Sequence, residues 1–293
     1  MVFNYLADYI IKIIDIQTTS GGIFMKKNIG FIGCGNIARA MIGGLVKSKT
    51  ITPQSVMASN RTTTKLEEVQ EKYGILTTTD NKAVAEFADI LILSVKTNKY
   101  YDIINEIRDS IDEDTVIVSI AAGRTIETIE NAFEKKIKLV RTMPNIPAIV
   151  GEAMSALCHN DLVTEEEFEI VLNIFKSFGE VEVVNEELMD VVTAISGSSP
   201  ALVYLFIESL ADGAVLKGFP REKAYKMVSQ AVLGAAKIVL ETGKHPGQLK
   251  DEVCSAGGTT IEAIYALEKK GFRGHVIESI KMGTEKSKKL AGK

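Results

Sequence analysis

The chain of 293 residues contains no tryptophan, only three cysteines and only three histidines. Cys34, Cys158 and Cys254 stand singly and far apart, a spacing that excludes a disulfide framework or a zinc-ligand pattern and suits a reducing, cytoplasmic environment. The histidines are equally scattered, so we predict no metal site and no histidine-based triad. A net charge of −4 without any Lys/Arg run argues against nucleic acid or an anionic membrane as a partner.

A signal peptide or membrane anchor is not predicted at the start of the chain. The apolar run at 2–16 is too short to span a bilayer, lacks a basic leading region and carries Asp8 and Asp15. Met25 is followed by two lysines and the first clear strand. We therefore expect residues 1–24 to be an extension foreign to the fold and Met25 to be the natural start, which mass spectrometry of the native protein would test.

The sequence does contain a regular alternation of short β-branched runs and amphipathic stretches across 25–185. This βαβ rhythm predicts a Rossmann-like α/β domain with a mostly parallel, doubly wound sheet. The predicted strands are Ile29–Ile32, Val56–Ser59, Ile90–Val95, Val116–Ile120 and Leu139–Arg141.

A glycine-rich turn of the form G-x-G-x-x-A joins the first strand to a helix at 37–47. Gly33 permits the tight turn, Gly35 lets the backbone approach a pyrophosphate, and Ala38 keeps the helix close to the strand. The motif is weak alone, but its position between strand and helix predicts dinucleotide binding.

The second strand ends at Ser59-Asn60-Arg61, where an NAD-preferring site usually carries an acid for the ribose 2′-hydroxyl. No acid is present, and Arg61 can form two charge-assisted bonds to a 2′-phosphate. We predict NADPH as the cofactor, with NADH use possible.

Other strand ends, 94–97 and 120–123, should lie at the carboxyl edge of the sheet, where ligands bind. The segment Met143–Pro147 contains two prolines, and the stiff turn they form could present Asn145 inward. A purely structural turn remains an equal alternative.

From Glu186 onward the strands disappear and apolar residues recur at helical spacing, which predicts an all-α domain at 186–293. Helices at 201–217 and 222–240 are apolar around much of their circumference, more than a small domain can bury internally. An intertwined homodimer would cover that surface.

A Gly-Gly-Thr-Thr turn at 257–260 leads into one of these helices. The N–H groups of Gly258, Thr259 and Thr260, two hydroxyls and the helix dipole would suit a carboxylate. The alternative is an ordinary helix N-cap.

Five motifs together resemble the pyrroline-5-carboxylate reductase family over nearly all of 26–293. They are IGFIGCGNIA, SIAAG, RTMPNIP, AISGSSPA and HPGQLKDEVCSAGGTTIEAI. The resemblance implies a Rossmann domain followed by a helical dimerisation domain, and reduction of the cyclic imine 1-pyrroline-5-carboxylate to L-proline with NADPH or NADH. It also implies dimers that often assemble into larger rings.

The resemblance implies ligand-binding residues in both domains. The cofactor-binding set is Ile32, Gly33, Cys34, Gly35, Asn36, Ile37, Ser59, Asn60, Arg61, Asn81, Ser94, Val95, Lys96, Thr97, Ile120, Ala121 and Ala122. The substrate-binding set is Glu186, Ser255, Gly257, Gly258, Thr259 and Thr260. The chain departs from the family pattern at Thr97, Ser199 and Ala256, and Ser199 puts the width of the substrate cleft in doubt.

The implied chemistry needs no strong acid or base, because a protonated imine is already electrophilic and positioning dominates. Thr193 could hydrogen-bond the ring nitrogen. Two rival interpretations are a β-hydroxyacid-dehydrogenase-type NADP oxidoreductase and a non-catalytic NADPH-sensing protein. The oxidoreductase needs a lysine general acid–base group within the helix that begins at residue 199, but the middle of that helix is apolar. The sensor would be expected to have lost the carboxylate-binding turn, but its residues 257–260 are all present.

Overall fold

The computed structural model describes residues 16–19, 22–25 and 27–291. The chain divides into two compact units, one comprising the chain up to Gly197 and again from Thr284, and the other comprising Ser198–Gly283. Most of the proposed extension at 1–24 lies outside the described residues. The described part of it, with Met25, forms an antiparallel pair separate from the main sheet, β1 (Ile16–Thr19) and β2 (Gly22–Met25).

The first unit is built on an eight-stranded sheet with the order β10-β9-β8-β7-β6-β3-β4-β5. Its strands are β3 (Ile29–Ile32), β4 (Val56–Ser59), β5 (Leu76–Thr78), β6 (Ile90–Leu93), β7 (Val116–Ser119), β8 (Lys138–Met143), β9 (Ala153–His159) and β10 (Gly179–Val183). Strands β3 to β8 are mutually parallel, whereas β9 and β10 run antiparallel to them. The order 5-4-3-6-7-8 reverses direction between β3 and β6, which is the switch point where open α/β sheets bind ligands.

Helices cover both faces of this sheet, which confirms the predicted doubly wound fold. They are α1 (Asn36–Lys47), α2 (Thr64–Tyr73), α3 (Asn81–Phe87), α4 (Tyr100–Ile107), α5 (Ile126–Phe133), α6 (Glu165–Lys176) and α7 (Met189–Val192). One core cluster contains Met41, Val69 and Phe175 from one helical layer. The other contains Tyr100 and Ile129 from the opposite layer. The completely buried strands Ile29–Ile32, Ile90–Leu93 and Val116–Ser119 explain the continuous apolar runs in the sequence.

The five strands expected from the sequence are present, but the sheet is larger than expected because β5, β9 and β10 were missed. Residues 188–195, which lie in the region predicted to be all-α, do not form one regular helix. Instead, a 3-10 turn (Glu186–Leu188) and the short α7 lead into a π-helical turn at Thr193–Gly197.

The second unit is entirely helical, as predicted. Its helices are α8 (Ser199–Leu216), α9 (Arg221–Thr242), α10 (Pro246–Val253), α11 (Thr259–Lys269) and α12 (Phe272–Leu290), of which α12 continues into the first unit from Thr284. Gly218, Gly243 and Gly271 adopt left-handed conformations at or just after helix ends, a conformation in which glycine commonly ends a helix. Ser198 is the N-cap of α8, but its side chain makes no capping hydrogen bond there.

Apolar side chains are widely exposed in the second unit. Ala211 is the one buried residue of α8 and Ala224 is the one buried residue of α9. Leu205 is 60% exposed, Leu216 83% and Leu240 82%. The run Glu186–Leu216 is also long and apolar enough to cross a membrane by length and composition, with 17% of its most apolar window buried.

Candidate functional site

The carboxyl ends of the central strands form one row. Ile32 pairs with Ser59 on one side and with Leu93 on the other, Leu93 pairs with Ser119, and Ser119 pairs with Arg141. The predicted cofactor segments follow four of these ends. The register therefore brings segments that are far apart in sequence to the same edge of the sheet.

The glycine turn after β3 has the geometry of an anion-binding helix N-terminus. Gly33 has φ +98°, and a Cβ there would lie 2.7 Å from the Ser94 backbone oxygen, so only glycine fits. Gly35 is the N-cap of α1, and a Cβ on it would meet no atom within 4 Å. Across the described ranges, no hydrogen bond occupies the N–H groups of Asn36 and Ile37. Free amides beside open space fit a pyrophosphate.

The Cys34 side chain does not face this space. It is completely buried and its Sγ lies 3.9 Å from the Lys65 backbone oxygen. Burial raises the pKa of its thiol. Cys34 can therefore contribute to the predicted cofactor site through its backbone only.

The residues expected to bind the ribose of the cofactor lie at the end of β4 and just after it. Asn60 Nδ2 donates to the Thr62 backbone oxygen at 3.1 Å, which shapes the turn. Ser59 Oγ donates to Asn81 Oδ1 at 2.7 Å, while Asn81 Nδ2 donates to both carboxylate oxygens of Glu106. Arg61 is exposed, and among residues 27–291 its guanidinium has no hydrogen-bond or ion-pair partner. Asn81 thus supports the turn, and Arg61 is free to bind an anion.

The loops after β6 and β7 are tied to the backbone of the glycine turn and to each other. Ser94 Oγ donates to the Gly33 backbone oxygen at 2.7 Å. The buried hydroxyl of Tyr100 donates to the Leu93 backbone oxygen and lies 3.1 Å from Ser119 Oγ. Val95, Thr97, Ile120 and Ala122 are half-buried, Ala121 is buried and Lys96 is exposed.

A partly buried ion pair lies at the same edge of the sheet, with Arg141 buried and Glu186 31% exposed. Arg141, 3% exposed, donates from one terminal nitrogen to Glu186 Oε1 at 2.8 Å, and the Ile126 N–H at the start of α5 donates to the same oxygen at 2.7 Å. Glu186 therefore joins β8 to the N-terminus of α5. Arg141 was missed as a site residue. Its signal was an arginine between Val140 and Thr142 in the middle of a buried strand, because a buried guanidinium needs an acidic partner.

The π-helical turn engages the hydroxyl of Thr193. Thr193 Oγ1 donates to the Met189 backbone oxygen at 2.9 Å, and Ser196 Oγ donates to the Val192 backbone oxygen at 3.0 Å. The Thr193 hydroxyl can therefore still accept a hydrogen bond, but its proton is already donated to the Met189 oxygen.

Asn145 holds this turn from outside. Its Nδ2 donates to the Ser196 backbone oxygen at 3.1 Å, and its Oδ1 accepts from the Met154 N–H at 3.0 Å. The sequence left open whether the segment Met143–Pro147 presents Asn145 inward or is a purely structural turn. The Asn145 side chain points inward, and its hydrogen bonds are to backbone groups.

The Gly-Gly-Thr-Thr turn lies in the second unit. Gly257 is left-handed at φ +65°, and Gly258 is the N-cap of α11. The expectation that the Gly258 N–H is free is wrong, because it donates to the Ser255 backbone oxygen at 3.0 Å and closes the turn. The N–H groups of Thr259 and Thr260 have no hydrogen-bond partner in the part of the chain that the structure describes. Thr260 is half-buried and Thr259 and Ser255 are exposed.

A cavity of about 530 Å³ lies elsewhere in the first unit, between α1, α2 and the loop at 146–151. Of the predicted cofactor residues only Asn36 lines it, so this cavity does not coincide with the predicted site. Among the described residues, no cluster of three or more His, Cys, Asp or Glu side chains could hold a metal ion.

Comparison with known proteins gives consistent matches. Residues 186–290 match the family model described as pyrroline-5-carboxylate reductase dimerisation, and residues 28–123 match NADP oxidoreductase coenzyme F420-dependent. The pyrroline-5-carboxylate reductase of Escherichia coli K12 is 47% identical over 91% of this chain and 99% of its own length. A pyrroline-5-carboxylate reductase structure from Coxiella burnetii has a TM-score of 0.85 at 34% identity, covering 91% of this chain and 99% of that one. The Plasmodium falciparum structure with NADP bound has a TM-score of 0.83 at 31% identity, covering 92% and 99%.

Proposed function

The chain belongs to the pyrroline-5-carboxylate reductase family, and on that basis we propose how its residues bind the two ligands of the reaction. It reduces 1-pyrroline-5-carboxylate to L-proline, the last step of proline biosynthesis, with NADPH. The main observation that supports the proposed cofactor site is the row of strand ends around Gly33 and Gly35. Bound NADPH supplies the hydride, and the residues discussed below position its acceptor.

The cofactor is proposed to lie across the switch point of the sheet. The free amides of Asn36 and Ile37 bind the pyrophosphate, because they lie at the positive end of α1 beside the open space at Gly35. Ser59, Asn60 and Arg61 bind the ribose end, and the loops 94–97 and 120–122 flank the nicotinamide. Lys96 adds positive charge at the same edge.

Replacement of Arg61 by Ala should raise the Michaelis constant for NADPH much more than that for NADH. Only NADPH offers the 2′-phosphate, and a charge-assisted bond contributes about 1.5–3 kcal/mol. Initial-rate kinetics with both cofactors measure the difference. Lys65→Ala, which removes another positive charge nearby in sequence, is the control. Equal effects of Arg61→Ala on the two cofactors would refute the role.

The substrate carboxylate is proposed to bind at the start of α11. Its partners are the free N–H groups of Thr259 and Thr260, the Thr260 hydroxyl and the helix dipole. Gly257 and Ser255 shape the turn that exposes these groups. Thr193 is proposed to lie beside the imine nitrogen, where its hydroxyl would accept a bond from the protonated imine, since its own proton is donated to Met189. Glu186, bound to Arg141, would keep negative charge near that cation.

Thr260→Ala should weaken imine binding by about 1–3 kcal/mol, the range for a hydrogen bond to a charged group, without changing NADPH affinity. Thr260→Val should behave similarly, because it keeps the shape and loses the donor. Kinetics with varied imine, together with fluorescence titration of NADPH, separate the two effects. A wild-type Michaelis constant in both variants would mean that the turn is only a helix cap.

The exposed apolar faces of α8 and α9 are proposed to pair with those of a second copy. The matched dimerisation model covers these helices, and burying side chains such as Leu205 and Leu216 removes a large apolar area from water. The same burial accounts for the membrane-like hydropathy of 186–216. We also propose that the dimers assemble further into a ring and that the protein is cytoplasmic. The proposed domain boundary is at residue 186, with a cofactor domain before it and a dimerisation and substrate domain after it.

Dilution is expected not to yield a folded, active monomer, because an isolated second unit would expose these faces to water. Light scattering and activity measured over the same dilution series test this expectation. A stable, active monomer, or partition of the protein into lipid vesicles, would contradict it.

The rival enzyme class is disfavoured by the position of Lys217. It follows the last residue of α8, whereas a lysine acid–base group is required inside that helix. A non-catalytic NADPH sensor is disfavoured by the intact turn at 257–260.

A further inference from the structure

The loop that joins β7 to α5 is fixed by contacts from other elements. At its end, the Ile126 N–H donates to Glu186 Oε1 at 2.7 Å, and the Arg124 guanidinium donates to the Tyr101 hydroxyl of α4 at 3.2 Å. Gly123, in the middle of the loop, is left-handed at φ +67° and has no side chain with which to make such a contact. Its position therefore depends on what packs against its backbone.

The last turn of α12 packs against Gly123. A Cβ built on Gly123 would lie 2.9 Å from Leu290 Cβ and 3.3 Å from the Leu290 carbonyl carbon, a separation that only glycine allows. The rest of the Leu290 side chain is largely turned to solvent, since the residue is 55% exposed. Residues from Thr284 onward belong to the same compact unit as the loop, so this contact lies within the first unit.

Ser287 anchors that turn to α7. Its Oγ donates to Asp190 Oδ1 at 2.7 Å, and both residues are buried, at 3% and 1% exposed. Ser287 precedes Leu290 by three residues, a spacing that places the two on the same face of α12. A hydrogen bond to a carboxylate is among the stronger ones in proteins. Loss of the Ser287 hydroxyl would therefore loosen the turn that packs against Gly123.

We propose that Ser287 is a positioning residue of the reductase, which holds the last turn of α12 against Gly123 and thereby fixes the loop that flanks the nicotinamide. This inference rests on the place of the loop 120–122 in the proposed function. The loop follows the carboxyl end of β7, and β7 lies beside β6, at the ligand-binding edge of the sheet. A loop that is free to move would misalign the hydride donor and the imine carbon, although Ser287 itself touches neither.

Hydrogen–deuterium exchange of the cofactor-free protein tests the structural step. In Ser287→Ala, we expect the amides of the loop, including the Ile126 N–H, to exchange roughly tenfold faster than in wild type, because the turn no longer restrains Gly123. Ser287→Thr keeps the hydroxyl and should exchange at the wild-type rate. This readout needs neither cofactor nor substrate.

Steady-state kinetics test the consequence for the reaction. A small misalignment of reacting atoms lowers turnover by roughly ten- to a hundredfold, so kcat of Ser287→Ala should fall by that amount. The dissociation constant for NADPH should stay within about twofold of wild type, because the proposed pyrophosphate and 2′-phosphate contacts lie at α1 and Arg61. Ser287→Thr should recover the wild-type kcat.

Thr115→Val provides the matched control. Thr115 is 4% exposed and its hydroxyl donates to the Ala88 backbone oxygen at 3.3 Å, so this substitution also removes one buried hydroxyl. Thr115 directly precedes β7, at the end of the strand opposite to the loop. Both variants should lose a few degrees of melting temperature, but Thr115→Val should keep kcat within about twofold of wild type.

Leu290→Gly serves as the second variant should Ser287→Ala fold poorly. It removes the Cβ that packs against Gly123, from a side chain that is otherwise largely exposed. Leu290→Ala keeps this Cβ and is its control. We expect faster exchange of the loop and a lower kcat in Leu290→Gly, with wild-type values in Leu290→Ala.

Four results would overturn the proposal: an unchanged exchange rate of the loop in folded Ser287→Ala or Leu290→Gly, a wild-type kcat in these variants, an equal loss of kcat in Thr115→Val, or a kcat in Ser287→Thr as low as in Ser287→Ala. Failure of the proposed function is a different outcome. In that case, the wild-type protein would not oxidise NADPH in the presence of the imine, while the exchange of the loop would still depend on Ser287.

Discussion

Gly33→Ala is expected to abolish NADPH binding and to destabilise the first unit. The residue has φ +98°, a conformation that costs an L-residue about 1–2 kcal/mol, and a Cβ would lie 2.7 Å from the Ser94 backbone oxygen. Relief of that overlap must separate β3 from the loop after β6. The amides at the start of α1 would then shift from the pyrophosphate, and each lost bond to a charged group raises the dissociation constant roughly tenfold or more.

Gly35→Ala is the matched control for fold and function. Its φ is −79° and a Cβ would meet no protein atom within 4 Å, so the protein should keep its wild-type melting temperature. The same Cβ would occupy the space proposed for the pyrophosphate. Fluorescence titration should therefore show weak NADPH binding in both variants, with thermal destabilisation in Gly33→Ala alone. Wild-type affinity in Gly35→Ala would place the cofactor elsewhere.

Gly258→Val is expected to remove imine binding while NADPH binding persists. A Cβ at Gly258 would overlap Ser255 Oγ and crowd the Ser255 backbone oxygen, which accepts the bond that closes the turn. The branched side chain would therefore open the turn and move the free amides of Thr259 and Thr260. The loss of two bonds to a carboxylate corresponds to roughly 3 kcal/mol or more, a hundredfold rise in the Michaelis constant.

Gly243→Ala separates this effect from a general loss of helix stability. Gly243 is also in the second unit, is left-handed at φ +63°, and has no neighbour within 4 Å of a built Cβ. Its substitution should cost about 1 kcal/mol of stability and leave the imine Michaelis constant unchanged. If Gly243→Ala and Gly258→Val raised the Michaelis constant equally, the carboxylate site at α11 would be wrong.

Local patterns predicted the parts of the fold that depend on local chemistry. The glycines at 33 and 35 are required by one turn, and the apolar runs of β3, β6 and β7 are required by burial on both faces. Strand β10 was missed because it has only five residues at the edge of the sheet, and Val183 is exposed as well as Glu180 and Glu182, so its alternating pattern is too short and too little buried to stand out.

Long-range contacts could not be read from the sequence. Arg141 and Glu186 are 45 positions apart, and their pairing depends on the position of β8 beside the N-terminus of α5. The π-helical turn was missed because residues 188–195 keep helical apolar spacing, and the donation from Asn145 to the Ser196 oxygen joins residues 51 positions apart.

The reductase activity is tested most directly by oxidation of NADPH by the purified protein with 1-pyrroline-5-carboxylate, followed by nicotinamide absorbance while proline is quantified. The six-membered cyclic imine serves as the comparator. We expect NADPH oxidation that depends on the five-membered imine, with formation of an equimolar amount of proline. Absence of oxidation with this imine, or oxidation without proline, would contradict the assigned reaction.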